Sequence, residues 1–155
     1  MGVSIAAMDD ENGQGEGYLR MMDTDFVTMS IRGVSVGDGT ALPVVTLREV
    51  AESGRFMSLQ VGPFEASAII LELEGIEPAR PLTHYLLAAV FKEGGLALLR
   101  AELFGSTGEG PRARLVYRRG LGHRVREVRP SDALALALRL KAPIRASRGL
   151  LAGIS

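Results

Sequence analysis

Cysteine and tryptophan are absent from this 155-residue chain, and the other aromatic residues are few. The lack of cysteine excludes disulfides, zinc sites built on thiolates and cysteine nucleophiles, and it favours a reducing cytoplasm as the compartment. Three tyrosines and five phenylalanines offer few platforms for stacking nucleobases. No apolar run approaches the roughly 20 residues of a membrane-spanning helix, so we expect no membrane partner.

Several catalytic signatures are also missing. The sequence contains no phosphate-binding P-loop, no HExxH zinc motif and no Gly-x-Ser-x-Gly nucleophile elbow.

One short pattern occurs twice in the chain. Residues 61–69 read VGPFEASAI, and residues 128–136, which lie 67 positions further along, read VRPSDALAL. Each copy is predicted to run from a strand through a proline into a helix whose first turn carries one carboxylate, Glu65 or Asp132. We interpret the second half as a diverged copy of the first. Packing about a pseudo-two-fold axis would then place the two acids opposite one another.

Hydrophobic periodicity outlines the remaining elements. It predicts a strand from Phe26 that breaks near Gly33, and further strands over 44–50, 56–61, 96–104, 113–119, 123–129 and 144–147. Helices are predicted from Pro63 to Gly75, from Thr83 to Gly94, from Pro130, and over 149–154. Residues 133–138 alternate Ala and Leu, which is a strand period, but both residues are strong helix formers, so we predict a buried helix there.

The predicted fold class is α+β. It is a single domain of two duplicated β3-α units, βββαα followed by βββα with a short strand and helix, and the sheet is mostly antiparallel. Residues 1–24 are polar and rich in glycine, so we expect a mobile leader before a domain over 25–154.

Charge is balanced overall but unevenly distributed. Residues 112–148 hold eleven of the 18 basic residues and two of the 18 acids. This segment either binds an anionic partner through its arginines, or Arg114, Arg118, Arg124 and Arg126 form solvent faces of strands that meet acids elsewhere. Those acids would lie on the same molecule or on a neighbouring subunit.

Five motifs follow one another in a recognisable order. They are GPxEAxAI at 62–69, LEG at 73–75, RPLTH at 80–84, RPSDAxALAxR at 129–139 and API at 142–144. In these motifs the chain resembles the bifunctional nuclease domain family over residues 25–154. The resemblance implies an α+β fold of two β-rich repeats, an oligomeric state and hydrolysis of both RNA and DNA. One departure is Tyr85, where family members often have Asp after the motif histidine.

The chemistry of phosphodiester hydrolysis selects candidates among these residues. It needs an activated water, stabilised phosphoryl charge and usually a divalent metal such as Mg²⁺ or Mn²⁺. Glu65 and Asp132 are therefore candidate catalytic residues and metal ligands, although each acid could instead only stabilise the start of its helix. His84 is a candidate catalytic base near pH 7, or else a hydrogen-bonding residue of its turn.

Three arginines are candidate contacts to nucleic acid, Arg80, Arg118 and Arg129. Arg80 and Arg129 each precede a proline at a helix start, where they could clamp a phosphate or pair with Glu65 or Asp132. Two functions stay open. One is a cytoplasmic, metal-assisted nuclease that cuts RNA and DNA without sequence specificity, and the other is a non-catalytic, homo-oligomeric binding or regulatory domain.

Overall fold

The computed structural model describes residues 25–39, 41–51, 54–106 and 108–152, and the leader expected over 1–24 lies outside these ranges. Within them the chain follows the element order that the sequence predicts. The elements are β1 (Phe26–Ser35), β2 (Val44–Glu49), β3 (Phe56–Gln60), α1 (Pro63–Glu74), α2 (Thr83–Glu93), β4 (Leu96–Ser106), β5 (Gly110–Arg119), β6 (Gly122–Val128), α3 (Pro130–Leu140), β7 (Ile144–Ser147) and a 3-10 helix (Arg148–Leu150).

The strands of the described ranges form one seven-stranded sheet in the order β3-β2-β1-β7-β4-β5-β6. All neighbouring strands are antiparallel except β4 and β7, which run parallel. The α+β class with a mostly antiparallel sheet is therefore confirmed. The four-residue strand β7 joins β1–β3 to β4–β6, while the origin of these two groups by duplication stays a prediction.

Helix α3 is the centre of the hydrophobic core. Residues 133–137 are all buried, and the helix packs against α1, α2, β4 and β5. The helix predicted from composition over 133–138 is therefore confirmed. Because this helix has neighbours on most sides, its apolar residues do not need to follow a helical period. None of the helices in the described ranges is long and apolar enough to cross a membrane.

Several strand ends differ from the prediction by one to three residues, and at two places the predicted element itself is wrong. Strand β1 does not break at Gly33 but continues to Ser35, because a shift of register between Ile31 and Gly33 absorbs the irregularity as a bulge would. In place of the start of the helix predicted over 149–154 there is a 3-10 turn that ends at Leu150, and residues 153–154 of that prediction lie outside the described ranges. Beyond the turn the Ala152 amide donates to the Phe56 carbonyl at 2.7 Å, and this pairing with the sheet edge holds the backbone extended.

Four arginines of the basic segment, Arg112, Arg114, Arg129 and Arg139, meet acids of the same molecule. Arg114, expected on a solvent face, is only 3% exposed because it lies opposite Glu102 in the β4–β5 register and donates to it at 2.7 Å. The guanidinium also stacks on Phe104, 4.7 Å from the ring centroid. Arg112 makes two hydrogen bonds of 2.7 Å to Glu127, and together these hydrogen bonds lower the pKa of that carboxyl.

Candidate functional site

The two copies of the repeated pattern meet at one open cleft of about 600 Å³. Gly62 and Glu65 reach it from the joint between β3 and α1, and Arg129 and Ser131 from the joint between β6 and α3. The cleft is also lined by the end of β3, at one edge of the sheet, and by Pro111 of β5, next to the other edge. The sheet is therefore curled, and this curl brings the two joints together.

Arg129 links the two repeated acids. Its Nε and Nη2 donate to the two carboxylate oxygens of Asp132 at 2.8 and 3.0 Å, and its Nη1 donates to Oε1 of Glu65 at 3.1 Å. The pairing that the sequence offered as one alternative for Arg129 is confirmed. The hydrogen bond with Asp132, followed by the attraction of that carboxylate, raises the pKa of Arg129. An arginine side chain is already permanently charged at its ordinary pKa.

This charged group is accessible to solvent. The Arg129 side chain is 65% exposed, Asp132 45% and Glu65 27%. An anionic ligand can therefore reach the guanidinium. Each acid is also the third residue of its helix, so stabilisation of the helix start by these carboxylates accompanies any role in binding.

Gly62 leaves room for the Glu65 carboxylate. Its backbone has φ −68° and ψ 160°, a conformation open to any residue, so backbone freedom does not require glycine. A Cβ at this position would collide with Oε2 of Glu65. The equivalent position in the second copy, 67 residues further along, is Arg129. The first copy therefore leaves space at the position where the second copy has the arginine.

His84 lies apart from the cleft. Its Nε2 is 2.8 Å from Oε1 of Glu72, and both side chains are almost buried, at 8% and 10% exposure. A carboxylate only accepts hydrogen bonds, so Nε2 carries the proton. Glu72 is seven residues beyond Glu65 on α1, which is about 10 Å along the helix axis. The structure therefore separates His84 from the two acids with which it was grouped.

Tyr85 and Arg139 complete the surroundings of Glu72. Arg139 stacks on the Tyr85 ring at 3.7 Å from the centroid and pairs with Glu77 at 3.1 Å. Burial, followed by the negative charges of Glu72 and Glu77, raises the pKa of the Tyr85 hydroxyl. Tyr85, which departs from the family pattern, thus belongs to a cluster of contacts that connects α1, α2 and α3.

The other two candidate arginines lie away from the cleft. Arg118 lies opposite His123 in the β5–β6 register. His123 is six residues before Arg129, which is about 20 Å along the strand. Arg80 is exposed in the connection between α1 and α2, beyond the end of α1 opposite to Glu65. In the described ranges, no three His, Asp or Glu side chains assemble into a group that could hold a metal ion.

Comparison with known proteins gives a family and two relatives. The sequence profile of the bifunctional nuclease domain matches residues 45–155. Two curated proteins of Mycobacterium tuberculosis, uncharacterized protein MT1877 (strain CDC 1551 / Oshkosh) and uncharacterized protein Rv1829 (strain ATCC 25618 / H37Rv), are each 36% identical over 120 residues. The match covers 77% of this chain and 71% of each relative. Neither of these names assigns an activity.

Replacing Gly62 by alanine tests the packing at the joint. We expect the added Cβ to push the Glu65 carboxylate off Arg129, while the free energy of unfolding changes by less than about 1 kcal/mol, because a flexible side chain can yield. Crystallography and urea denaturation measure the two effects. Gly33→Ala is the matched control, since a Cβ there meets nothing within 4 Å. An unchanged Glu65–Arg129 hydrogen bond in Gly62→Ala would contradict this account.

Proposed function

Because the chain belongs to the bifunctional nuclease domain family, we propose that it hydrolyses phosphodiester bonds of RNA and DNA at the cleft where Arg129 joins Glu65 and Asp132. The reaction is assisted by a divalent metal and is independent of sequence. The observation that carries this proposal is the meeting of both repeated acids at a single exposed arginine. Neither acid needs this arrangement merely to stabilise its own helix.

Arg129 is the phosphate-binding residue of the proposal. Its planar guanidinium now holds two oxygens of Asp132 in a fork, and the same fork fits two oxygens of a phosphate. Contacts to phosphate carry no direct sequence information. A site centred on Arg129 therefore accounts for cleavage of both RNA and DNA without sequence preference.

Glu65 and Asp132 are the metal-binding residues of the proposal. The Arg129 guanidinium forms an ion pair with each of the two carboxylates, so a cation already compensates part of their negative charge. Mg²⁺ is commonly held by one or two carboxylates, with water and substrate phosphate as its other ligands, so this donor pair fits it. When bound, such an ion supplies Lewis-acid stabilisation of the phosphoryl charge and a more acidic water. Arg129, released from the carboxylates, can then hold a phosphate oxygen.

For His84 we propose a positioning role in the reaction. Its hydrogen bond to Glu72 fastens α2 to α1, the helix whose first turn carries Glu65. A distance of about 10 Å along α1 is too long for proton transfer to a water at the cleft. Arg80 and Arg118 are proposed to contact backbone phosphates of a longer substrate.

We also propose that the chain forms a homo-oligomer through α2. Leu86 and Val90 are 65% and 49% exposed, and they are four residues apart, so they share one side of the helix. Leu87 beside them is 38% exposed. A second copy can cover this apolar surface with the same surface of its own, as two-fold interfaces do. The same observation favours the second candidate function, a non-catalytic oligomeric binding domain.

Charge-neutral variants test the hydrolase proposal. We expect purified protein to cleave single-stranded RNA and DNA with Mg²⁺ or Mn²⁺, and Glu65→Gln and Asp132→Asn each to lower the rate by about 100-fold or more, since charge stabilisation is lost. Gel assays of labelled oligonucleotides measure the rates, and circular dichroism checks the fold. Glu77→Gln is the control, because it removes a carboxylate paired with arginine at the far end of α1. Full activity in both amide variants would refute the site.

A charge placed on α2 tests the oligomer. We expect Leu86→Glu to convert the protein to monomers, because burying an unpaired carboxylate in an apolar interface is costly. Light scattering after size-exclusion chromatography gives the mass. The control is Leu121→Glu, at the fully exposed tip of the β5–β6 hairpin, which should keep the wild-type mass. Equal masses for Leu86→Glu and wild type would rule out this interface.

A further inference from the structure

Phe64 is an aromatic ring in an unusual place. It is the second residue of α1, and it is 88% exposed. The other aromatic side chains of the described ranges are buried or half-buried: Phe26, Phe56, Tyr85, Phe91, Phe104 and Tyr117. Single exposed apolar residues are common on protein surfaces, so exposure alone says little. The informative point is that the single largely exposed ring in these ranges belongs to the residue next to Glu65, which lines the cleft.

The position of Phe64 follows from its neighbours. Glu65, the next residue in sequence, and Gly62, two residues before Phe64, both line the cleft, and the Cα atoms of adjacent residues are about 3.8 Å apart. Its counterpart in the second copy is Ser131, which lines the same cleft and is 8% exposed. The first copy therefore carries an exposed ring beside the cleft-lining Glu65, where the second copy carries a buried hydroxyl. The ring contributes little to the core.

We propose that Phe64 is a stacking platform for an unpaired nucleobase, and that the cleft therefore takes single-stranded substrate. This inference rests on the proposed function and names its substrate class. A cation that holds the backbone beside an aromatic ring that holds a base is the usual combination at single-strand sites. The exposed Arg129 guanidinium and the Phe64 ring are these two parts. Inside a duplex both faces of a base are covered by its neighbours, so paired substrate cannot use the ring.

Binding measured without cleavage tests the platform. Fluorescence anisotropy in Mg²⁺, with labelled single-stranded DNA and RNA decamers made cleavage-resistant by phosphorothioate linkages, gives the dissociation constants. We expect Phe64→Ala to weaken binding by about 5- to 150-fold, which corresponds to the stacking of one base. Phe64→Tyr should bind like wild type because it keeps the ring. Leu121→Ala, which removes an exposed apolar side chain on the β5–β6 hairpin, should have no effect.

An abasic decamer separates stacking from phosphate contacts. It keeps the sugar-phosphate backbone without bases, so wild type and Phe64→Ala should bind it equally. The platform is overturned if Phe64→Ala binds the normal decamers like wild type, if wild type binds no single strand, or if blunt duplex binds as tightly as single strand.

The outcomes for binding and for cleavage are distinct. Phe64-dependent binding without cleavage in Mg²⁺ or Mn²⁺ would keep the platform and refute the hydrolase. If the protein cleaves nucleic acid and Phe64→Ala binds single strands as tightly as wild type, the hydrolase proposal stands and the platform is refuted.

Discussion

The burial of α3 is the constraint on which the rest of the structure depends. Its residues 133–137 are buried against two helices and two strands, which fixes the position where the helix starts. Asp132 and Arg129 stand at that start, and the packing of α1 on α3 brings Glu65 to them. Exposed ion pairs contribute only about 0.2 to 1 kcal/mol each. Arg129 therefore does not hold the fold together, and its contacts follow from the packing of the helices.

Much of the fold could be predicted from local patterns in the sequence. Prolines at helix starts, the helix-forming composition of 133–138 and the turn glycines give the correct element order. The place of β7 between β1 and β4 could not be predicted, because strand pairing depends on contacts distant in sequence. The same reason applies to Ala152, whose pairing with Phe56 replaces the end of a predicted helix.

The candidate site could be predicted in part. Composition and repetition identified Glu65, Asp132 and Arg129, which the structure brings together. His84 was grouped with them because it is one of only two histidines, but the partner of a side chain depends on tertiary packing, and the partner here is Glu72. The 67-residue offset held a further signal. It aligns Gly62 with Arg129, and Glu72 with Arg139, whose Nη1 lies 3.6 Å from Glu72 Oε1.

We propose above all that the two repeated acids form a cation site, which Arg129 now fills. A crystal structure with Mn²⁺, which can be located by its anomalous scattering, tests this claim most directly. We expect an anomalous peak at the carboxylates of Glu65 and Asp132, with the Arg129 guanidinium moved away from them. Absence of the peak at saturating Mn²⁺, or a peak elsewhere with Arg129 still bonded to both acids, would contradict the account.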